Sequence, residues 1–212
     1  WGKGRPGWHI ECSTMNKKAF GDRIDIHGGG RDLIFPHHEN EIAQSEALTG
    51  KPFANFWIHN GLIKVNGQKM SKSLGNSLFL KDLLDKYSPE TIKFALLSTN
   101  YRGDINVTDN LFPDAENHLF DFYSIIESAE NMGVKIEGEN LDIDNEFNNA
   151  MDDDFNTALA ISNLYGYFTF SFNTEGIEYT YKTLRSNLLG KIDCRRCLWS
   201  LCMVLLLWSI II

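Results

Sequence analysis

The stretch RIDIHGGGRDLIFPHHENEIAQSEALTG, residues 23–50, carries the strongest fold signal in the sequence. It opens with a short alternating apolar run and three glycines, a pattern that predicts a strand ending in an open loop. Pro36 suits the first turn of a helix that includes His37, and Gly50 suits the end of that helix. We therefore predict a strand, a glycine-rich loop and a helix in direct succession.

The neighbouring segments continue this alternation of helices and strands. WHIECSTMNKKAF, residues 8–20, has apolar positions at helical spacing, and ANFWIHNGLIKV, residues 54–65, is strand-like. NGQ is typical of a turn, KMSKSLGN (residues 69–76) is polar and loop-like, and two amphipathic helical patterns follow. Residues 1–108 therefore predict an α/β fold with a parallel sheet flanked by helices.

The later part of the chain has a different character. Residues 109–190 predict an all-α unit, in which the acidic stretch EGENLDIDNE, residues 137–146, joins two helices. Residues 191–212 form an atypical hydrophobic tail, whose last sixteen positions hold no charged residue. As a helix those positions would be about 24 Å long, short of the roughly 30 Å core of a bilayer. We expect a buried helix or sequence foreign to the rest of the protein, with a tail anchor as the less favoured alternative, and no membrane partner.

Composition restricts the function classes. Lysine and arginine total 20 against 28 acidic residues, and the resulting net charge of −8 argues against a protein that coats nucleic acid without specificity. One of the four cysteines is isolated and three crowd the end of the chain, which is not the pattern of a secreted disulfide framework. We expect a reducing, cytoplasmic location, and an organellar one is left open.

Cys12, His37, His38 and Glu41 are candidate metal ligands. Glu41 follows His37 by four positions and His38 by three, so helical spacing allows either histidine to share its face. Cysteine, histidine and carboxylate together suit zinc, which accepts sulfur, nitrogen and oxygen ligands. The alternative is that the histidines are polar residues at a helix start and Cys12 is a small core residue.

Lys69 and Lys72 lie three positions apart in a loop rich in hydroxyl groups and glycine. Two cations in such a loop can close over a phosphate chain and neutralise the charge that builds up as pyrophosphate leaves. The alternative is a solvated basic turn, which a generic pair of lysines would favour and the full string KMSKS does not.

Four strings together carry a family resemblance. KMSKS is the second signature of class I aminoacyl-tRNA synthetases. With PGWHIECSTM, DIHGGGRDLIFPHHENEIAQSEA and MDDDFNTALA it closely resembles the cysteinyl-tRNA synthetase family. The resemblance extends from Trp1 to about Tyr167. It implies the second half of a Rossmann-like nucleotide-binding domain with a stem-contact region at 1–108, followed by a helical anticodon-side domain at 109–190.

The resemblance also assigns site residues. It implies a zinc ion held by Cys12, His37 and Glu41, which selects His37 over His38, and we expect His38 to point away. Trp8 would line the pocket beside the substrate thiol, with His27 on its floor. Lys69 and Lys72 would be catalytic, with Lys72 serving ATP, and Mg²⁺ is expected with the nucleotide. The ATP and aminoacyl groups would be bordered by Gly28, Gly29, Gly30 and Asp32.

The activity implied is ATP-dependent activation of L-cysteine and its transfer to tRNA-Cys. Cysteine and serine differ by one atom, which pocket shape separates poorly, whereas zinc binds a thiolate far better than a hydroxyl. Two alternatives stay open: a ligase that passes activated cysteine to an amino sugar, and a non-catalytic remnant that binds zinc. Acceptor assays would separate the first alternative from the tRNA ligase.

Two features of the family are missing from the sequence. The family carries a HIGH signature and one more zinc-binding cysteine upstream, and the string HIGH does not occur here. We therefore expect a fragment that lacks the N-terminal half and does not charge tRNA by itself.

Overall fold

The computed structural model describes residues 2–133 and 141–169, with the side chains of those residues except 72, 141–144 and 167–169. Trp1, residues 170–190 and the hydrophobic tail at 191–212 lie outside the described residues, as do the three late cysteines. Predictions about the tail therefore stay predictions.

The first sheet and the helices beside it are formed by residues 9–60. These elements are α1 (His9–Phe20), β1 (Ile24–Gly30), α2 (Glu39–Thr49) and β2 (Ala54–Asn60). β1 and β2 pair in parallel, with Ile26 opposite Phe56 and Gly29 opposite His59. Helix α1 packs against α2. The α/β class predicted from the alternation of patterns is confirmed.

Two details of this segment differ from the sequence prediction. The three glycines belong to β1 instead of following it. Helix α2 begins at Glu39, after an irregular turn at Ile34–His38 in which Phe35 is extended (φ −131°, ψ 134°). A residue before proline disfavours helical backbone, so Phe35 delays the helix past Pro36. Gly50 ends α2 in the left-handed region (φ 67°), as expected.

A second sheet follows, in the order β4-β3-β5. Its strands are β3 (Ile63–Val65), β4 (Gln68–Lys69) and β5 (Ile105–Val107). β3 and β4 form an antiparallel hairpin around Asn66 and Gly67, whose φ angles of 50° and 78° are those of a tight Asn-Gly turn. The segment predicted as one strand over 54–65 is thus two strands in different sheets. The three-residue strand β5 was not predicted, because it is too short to show a period.

Five helices complete the described chain. They are α3 (Leu80–Leu84), α4 (Pro89–Leu97), α5 (Leu111–Asn131), α6 (Leu141–Asp152) and α7 (Thr157–Thr169). Ser88 caps α4 by accepting a hydrogen bond from the backbone N–H of Thr91 at 3.0 Å. The acidic stretch expected to join two helices instead supplies the start of α6, because Leu141 is that helix's first residue.

The helices and the second sheet share one core. The buried cluster includes Ile63, Ile105, Phe94, Phe122 and Leu164, so it crosses the expected domain boundary after residue 108. The domain limits therefore remain a prediction. Within the described ranges, no helix has both the length and the apolar character needed to cross a membrane.

The start of α7 is joined to the loop that follows α4. Asp154 accepts hydrogen bonds from the Tyr101 hydroxyl at 2.8 Å and from the Arg102 guanidinium. Thr157 donates its hydroxyl to the Leu97 carbonyl at 2.6 Å. Asp154 and Phe155 both have positive φ angles, 53° and 56°, which non-glycine residues rarely adopt. These contacts hold the two residues in that conformation.

Candidate metal centre

Cys12, His37 and Glu41 come together where α1 packs on the start of α2. Their ligand atoms all lie within 4.8 Å of one another. Cys12 is supplied by α1, His37 by the irregular turn and Glu41 by the first turn of α2. His37 is 2% exposed and Glu41 is fully buried, whereas Cys12 is half-buried, so two of the three donors are shielded from water.

Two atoms of this set are buried with no hydrogen-bond partner among the described residues, His37 Nδ1 and Glu41 Oε1. A buried polar atom left in that condition costs about 1–3 kcal/mol. A cation bound between sulfur, nitrogen and oxygen donors would satisfy both atoms. The residues present therefore fit a zinc ion by donor chemistry and by their unsatisfied atoms.

Burial shifts the pKa values of two of the donors, Cys12 and His37. Burial raises the pKa of the Cys12 thiol, and the negative charges of Glu41 and Glu11 raise it further. Burial lowers the pKa of His37, which leaves the neutral imidazole that a metal requires. The negative surroundings that oppose a thiolate at Cys12 are the surroundings in which a cation is favoured.

His27 orients the buried carboxylate. Its Nε2–H donates to Glu41 Oε2 at 2.9 Å. The His27 ring in turn contacts Phe53 and Trp57, with ring centroids 5.4 Å and 4.8 Å away. This hydrogen bond occupies Oε2 and leaves Oε1 as the free oxygen of Glu41, as is common for carboxylates held by a neighbouring donor at metal sites.

Trp8 lies beside the donor set at the start of α1. Its ring centroid is 4.3 Å from that of His37, and the side chain is 47% exposed. The indole therefore covers one side of His37 while presenting apolar surface to the outside. That position suits a pocket wall, the role predicted for it.

His38 is not part of the set formed by Cys12, His37 and Glu41, although it stays close to Glu41. Its Nε2 is 3.9 Å from Glu41 Oε2, and its Nδ1 shares a hydrogen bond of 2.8 Å with His59 Nε2. His27, His38 and Glu41 form a second compact donor group. Burial and the neighbouring histidines lower the pKa of His38 to about 3, so it is neutral.

Sequence reasoning missed His59 and Trp57, which come from β2 and support this second group. Their signal in the sequence is weak, because alternating aromatic residues are typical of any half-buried strand. The parallel pairing of β1 with β2 is what sets His59 opposite Gly29.

The glycine run has a steric cause at Gly29. A Cβ atom there would lie 3.0 Å from Leu33 Cδ1 and 3.1 Å from His38 Cε1. Glycine thus permits the irregular turn to pack on β1 and His38 to reach Glu41. Gly28 and Gly30 lie in the same strand, and Asp32 is exposed in the short 3₁₀ turn Arg31–Leu33 that follows it.

The lysine loop, residues 69–76, belongs to the second sheet. Lys69 is exposed in β4, and the loop continues through a 3₁₀ turn at Lys72–Leu74. Asn76 organises it: its Oδ1 accepts from the Ser71 N–H at 2.8 Å, and its Nδ2 donates to the Lys69 carbonyl at 3.2 Å. The side chain of Lys72 lies outside the description, so its role stays a prediction.

A groove of about 190 Å³ also opens between α1 and α2. Its lining includes Ile10, Lys17 and Leu48 but none of the three candidate zinc ligands. It is therefore separate from the donor set.

Comparison with known proteins places most of the chain in one family and finds relatives that are about half identical to it. Residues 1–117 match the family described as the class I (C) tRNA synthetase catalytic domain, and residues 146–168 match the DALR domain. The chain is 50% identical over 185 residues to the Cysteine--tRNA ligase of Geotalea daltonii, covering 78% of this chain and 37% of that protein. It is 53% identical over 175 residues to the same-named protein of Bacillus cytotoxicus, covering 78% and 38%. The chain thus spans well under half the length of these relatives.

Two solved structures share the fold. The Agrobacterium radiobacter LeuRS, in a ternary complex with tRNA and LeuAMS, matches with a TM-score of 0.63 and 18% identity, covering 76% of this chain and 24% of that one. The Mycobacterium tuberculosis methionyl-tRNA synthetase, in complex with methionyl-adenylate, matches with a TM-score of 0.51 and 16% identity, covering 75% and 38%. At these identities the likeness concerns architecture alone.

Proposed function

The chain belongs to the family of class I (C) tRNA synthetase catalytic domains, and from that premise we propose that it is the cysteine-recognising part of a cysteine–tRNA ligase. The reaction joins L-cysteine and ATP to give cysteinyl adenylate and pyrophosphate. The cysteinyl group then passes to tRNA-Cys and AMP leaves. The observation that carries this proposal is the compact set of Cys12, His37 and Glu41 donors.

These three residues would hold a zinc ion, with the family's further cysteine as an additional ligand. When bound, zinc supplies a Lewis acid that binds the substrate thiolate far better than the hydroxyl of serine. Selection against serine then needs no difference in pocket volume, which could not separate the two amino acids well.

The protein side chains prepare this site for the substrate. His27 holds Glu41 in place through its 2.9 Å hydrogen bond, and the neutral ring of His37 is available as a nitrogen donor. Trp8 forms an apolar wall against His37 and excludes water from the side on which the cysteine thiol would lie. The contacts of Trp8 and His27 with the two buried ligands support these proposed roles.

ATP would lie between the glycine run and the lysine loop. Gly28, Gly29 and Gly30 allow close approach of the nucleotide to the backbone of β1, and Asp32 borders the same edge. Lys69 and Lys72 would neutralise the negative charge that grows on the phosphates as pyrophosphate departs, together with Mg²⁺. Support for this role is the position of the loop, which directly follows the β3–β4 hairpin.

The acceptor that we favour is tRNA over an amino sugar. The relatives from Geotalea daltonii and Bacillus cytotoxicus are both named Cysteine--tRNA ligase. The net charge of −8 means that tRNA contact would depend on local basic surface, because the chain as a whole repels a polyanion. A cytoplasmic location stays a prediction.

The test uses a completed enzyme, defined as this chain joined at its N-terminus to the segment that precedes the matching region in the Bacillus cytotoxicus relative. Cysteine-dependent exchange of pyrophosphate into ATP is measured, with serine at equal concentration as the matched substrate. We expect exchange with cysteine and at least about 100-fold less with serine, since serine cannot offer a thiolate. Equal exchange with both amino acids would contradict the metal-based selection.

The same protein separates the acceptors. Transfer of labelled cysteine to tRNA-Cys is expected, with none to an amino sugar. A completed enzyme that binds zinc but supports no exchange with either amino acid would instead favour the non-catalytic alternative.

A further inference from the structure

We propose that Asp104 is a positioning residue for ATP, which ties the turn after the glycine run to the hairpin that carries the lysine loop. The identity of the ligand as ATP rests on the proposed function, whereas the link that Asp104 makes between the turn and the hairpin is a property of this chain. Asp104 lies outside the donor set and outside both predicted nucleotide segments.

The two predicted nucleotide segments belong to different sheets. The glycine run ends β1 and leads into the turn Arg31–Leu33, while the lysine loop extends from the β3–β4 hairpin of the second sheet. Catalysis by such segments requires that both hold one phosphate chain in a fixed geometry. Something must therefore set the position of one sheet edge relative to the other.

Asp104 contacts the turn that follows the glycine run and the strand that leads to the lysine loop. Its Oδ1 lies 2.7 Å from Arg31 Nη2 and accepts the backbone N–H of Leu62 at 3.0 Å. Its Oδ2 lies 2.9 Å from Lys64 Nζ. The side chain is only 17% exposed, so the two ion pairs are partly shielded from water. One carboxylate thus joins the turn after β1 to strand β3.

The backbone around Asp104 is fixed as well. The N–H of Gly61 donates to the Tyr101 carbonyl at 2.7 Å, and the N–H of Ile105 donates to the Leu62 carbonyl at 3.0 Å. A Cβ atom on Gly61 would lie 1.9 Å from the Gly103 carbonyl oxygen, so the two backbone segments are in direct contact at this point. The carboxylate therefore acts from a rigid base.

A short path leads from Asp104 to the catalytic lysines. Lys64 pairs with Lys69 across the hairpin, and the N–H of Met70 donates to the Ile63 carbonyl at 3.3 Å. Asn76 then holds the first part of the loop through the Lys69 carbonyl and the Ser71 N–H. A displacement of Lys64 would therefore move the base of the lysine loop.

The charges support the same role. The hydrogen bond from Lys64, followed by that from the Leu62 N–H, lowers the pKa of Asp104 to about 2. Asp104 is thus ionised at neutral pH and pairs with Arg31 and Lys64, which are 48% and 42% exposed. Without it, two unpaired cations would be free to reorient near the phosphates.

The test replaces the charge and keeps the shape, in the variant Asp104→Asn. The matched control is Asp22→Asn, because Asp22 also pairs with two lysines, Lys17 and Lys51, but on the far end of α1. The first measurement is amide hydrogen exchange of residues 64–76 in this chain. Losing two partly exposed ion pairs is expected to speed exchange about threefold to tenfold in Asp104→Asn, and not in the control.

The second measurement uses the completed enzyme and separates positioning from a merely structural effect. The KM for ATP is expected to rise about fivefold or more in Asp104→Asn, with the KM for cysteine unchanged, and Asp104→Glu is expected to restore part of the difference. Equal increases in both KM values would mean general loss of structure and would overturn the proposal.

The outcomes distinguish this inference from the proposed function. Unchanged hydrogen exchange at 64–76 in Asp104→Asn would show that Asp104 does not hold the hairpin in place, whether or not the protein is a ligase. Faster exchange with an unaltered KM for ATP would overturn the role in ATP positioning. Absence of pyrophosphate exchange in the unsubstituted completed enzyme would count against the proposed function, and the hydrogen-exchange result would still decide on the link made by Asp104.

Discussion

Glu41 is the residue on which the candidate site depends. It is fully buried, and three histidine rings, those of His27, His37 and His38, lie 2.9–3.9 Å from its Oε2 atom. A buried carboxylate is tolerated only where charge partners or hydrogen bonds compensate for lost hydration. The hydrogen bond from His27 compensates in part, and the unsatisfied Oε1 marks the direction in which a cation would complete the arrangement.

We predict that Glu41→Gln lowers zinc affinity by at least about tenfold, because an amide is a weaker ligand than a carboxylate of the same shape. The control is Glu39→Gln, an exposed glutamate two positions earlier. Affinity is measured by competition with a coloured zinc chelator. Equal affinity of the two variants would remove Glu41 from the ligand set.

We predict that Lys72→Ala in the completed enzyme lowers pyrophosphate exchange about 100-fold with little change in cysteine binding. The charge that Lys72 meets grows mainly in the transition state, so its loss affects the rate more than ground-state binding. Lys86→Ala, at an exposed lysine elsewhere, serves as the control. An unchanged exchange rate would mean that the loop is a solvated basic turn.

The links between strands include one very close approach, between the backbones of Gly61 and Gly103. Among the described glycines, a Cβ atom at Gly61 would meet another backbone atom at the shortest distance. This approach is where the segment predicted as one strand divides into β2 and β3 and enters the second sheet. Sequence patterns could not show this division, because both strands are apolar and one glycine is compatible with a continuous strand.

We predict that Gly61→Ala destabilises the chain by about 1–3 kcal/mol, since the added methyl group must displace the Gly103 backbone. The matched substitution is Gly166→Ala in α7, where a Cβ atom meets nothing within 4 Å. It should be neutral or stabilise by about 0.5–1 kcal/mol. Urea denaturation of both variants measures the change in the free energy of unfolding. Equal midpoints would show that the Gly103 backbone moves aside at little cost.

Asp22 joins the end of α1 to the segment before β2, through Lys17 at 2.7 Å and Lys51 at 3.0 Å. The hydrogen bond from Lys17, then that from Lys51, lowers the pKa of Asp22 from 3.8 to about 2. A carboxyl group with a lowered pKa stabilises the folded state above its unfolded pKa and ceases to do so as pH falls through the folded value.

We therefore predict that the stability difference between the unsubstituted chain and Asp22→Asn shrinks as pH falls from 5 to 2. The effect should be small, because the groups are exposed, and should weaken with added salt. Denaturant titrations at several pH values measure it. A difference that is constant over this range would show that the two ion pairs add nothing to folding.

Sequence patterns predicted most of the element order, because it rests on local periodicity. Spacing made Cys12, His37, His38 and Glu41 candidate ligands, and the family resemblance selected His37 over His38. His59 was missed, because its position depends on how β1 pairs with β2. Asp104 was missed for the same reason: its partners are distant in sequence.

Taken as a whole, the described part of the chain leaves part of one face of its first sheet open. Ile26 and Phe56 pair across β1 and β2 and are 43% and 67% exposed. Parallel sheets are normally covered on both faces, so the described residues alone do not complete the cover of this face. That agrees with the chain spanning 37% of the length of its Geotalea daltonii relative.

We predict that the 212-residue chain as the sole protein component does not charge tRNA, because it spans 37% of its Geotalea daltonii relative and the family resemblance implies an ATP site built partly by the remainder. The assay combines purified chain, cysteine, ATP and tRNA-Cys at protein concentrations that reveal a single turnover, with the completed enzyme as positive control. Clear formation of cysteinyl-tRNA by the chain alone would mean that these residues contain a full ATP site.

The central claim is that Cys12, His37 and Glu41 hold a zinc ion that binds the thiol of cysteine. X-ray absorption at the zinc edge tests it directly, on a chain in which Cys194, Cys197 and Cys202 are replaced by serine so that Cys12 is the only protein thiol. We predict one sulfur at about 2.3 Å with nitrogen and oxygen at about 2.0–2.2 Å. Addition of L-cysteine should bring a second sulfur and L-serine none. A shell without sulfur, or one that L-cysteine leaves unchanged, would contradict the account.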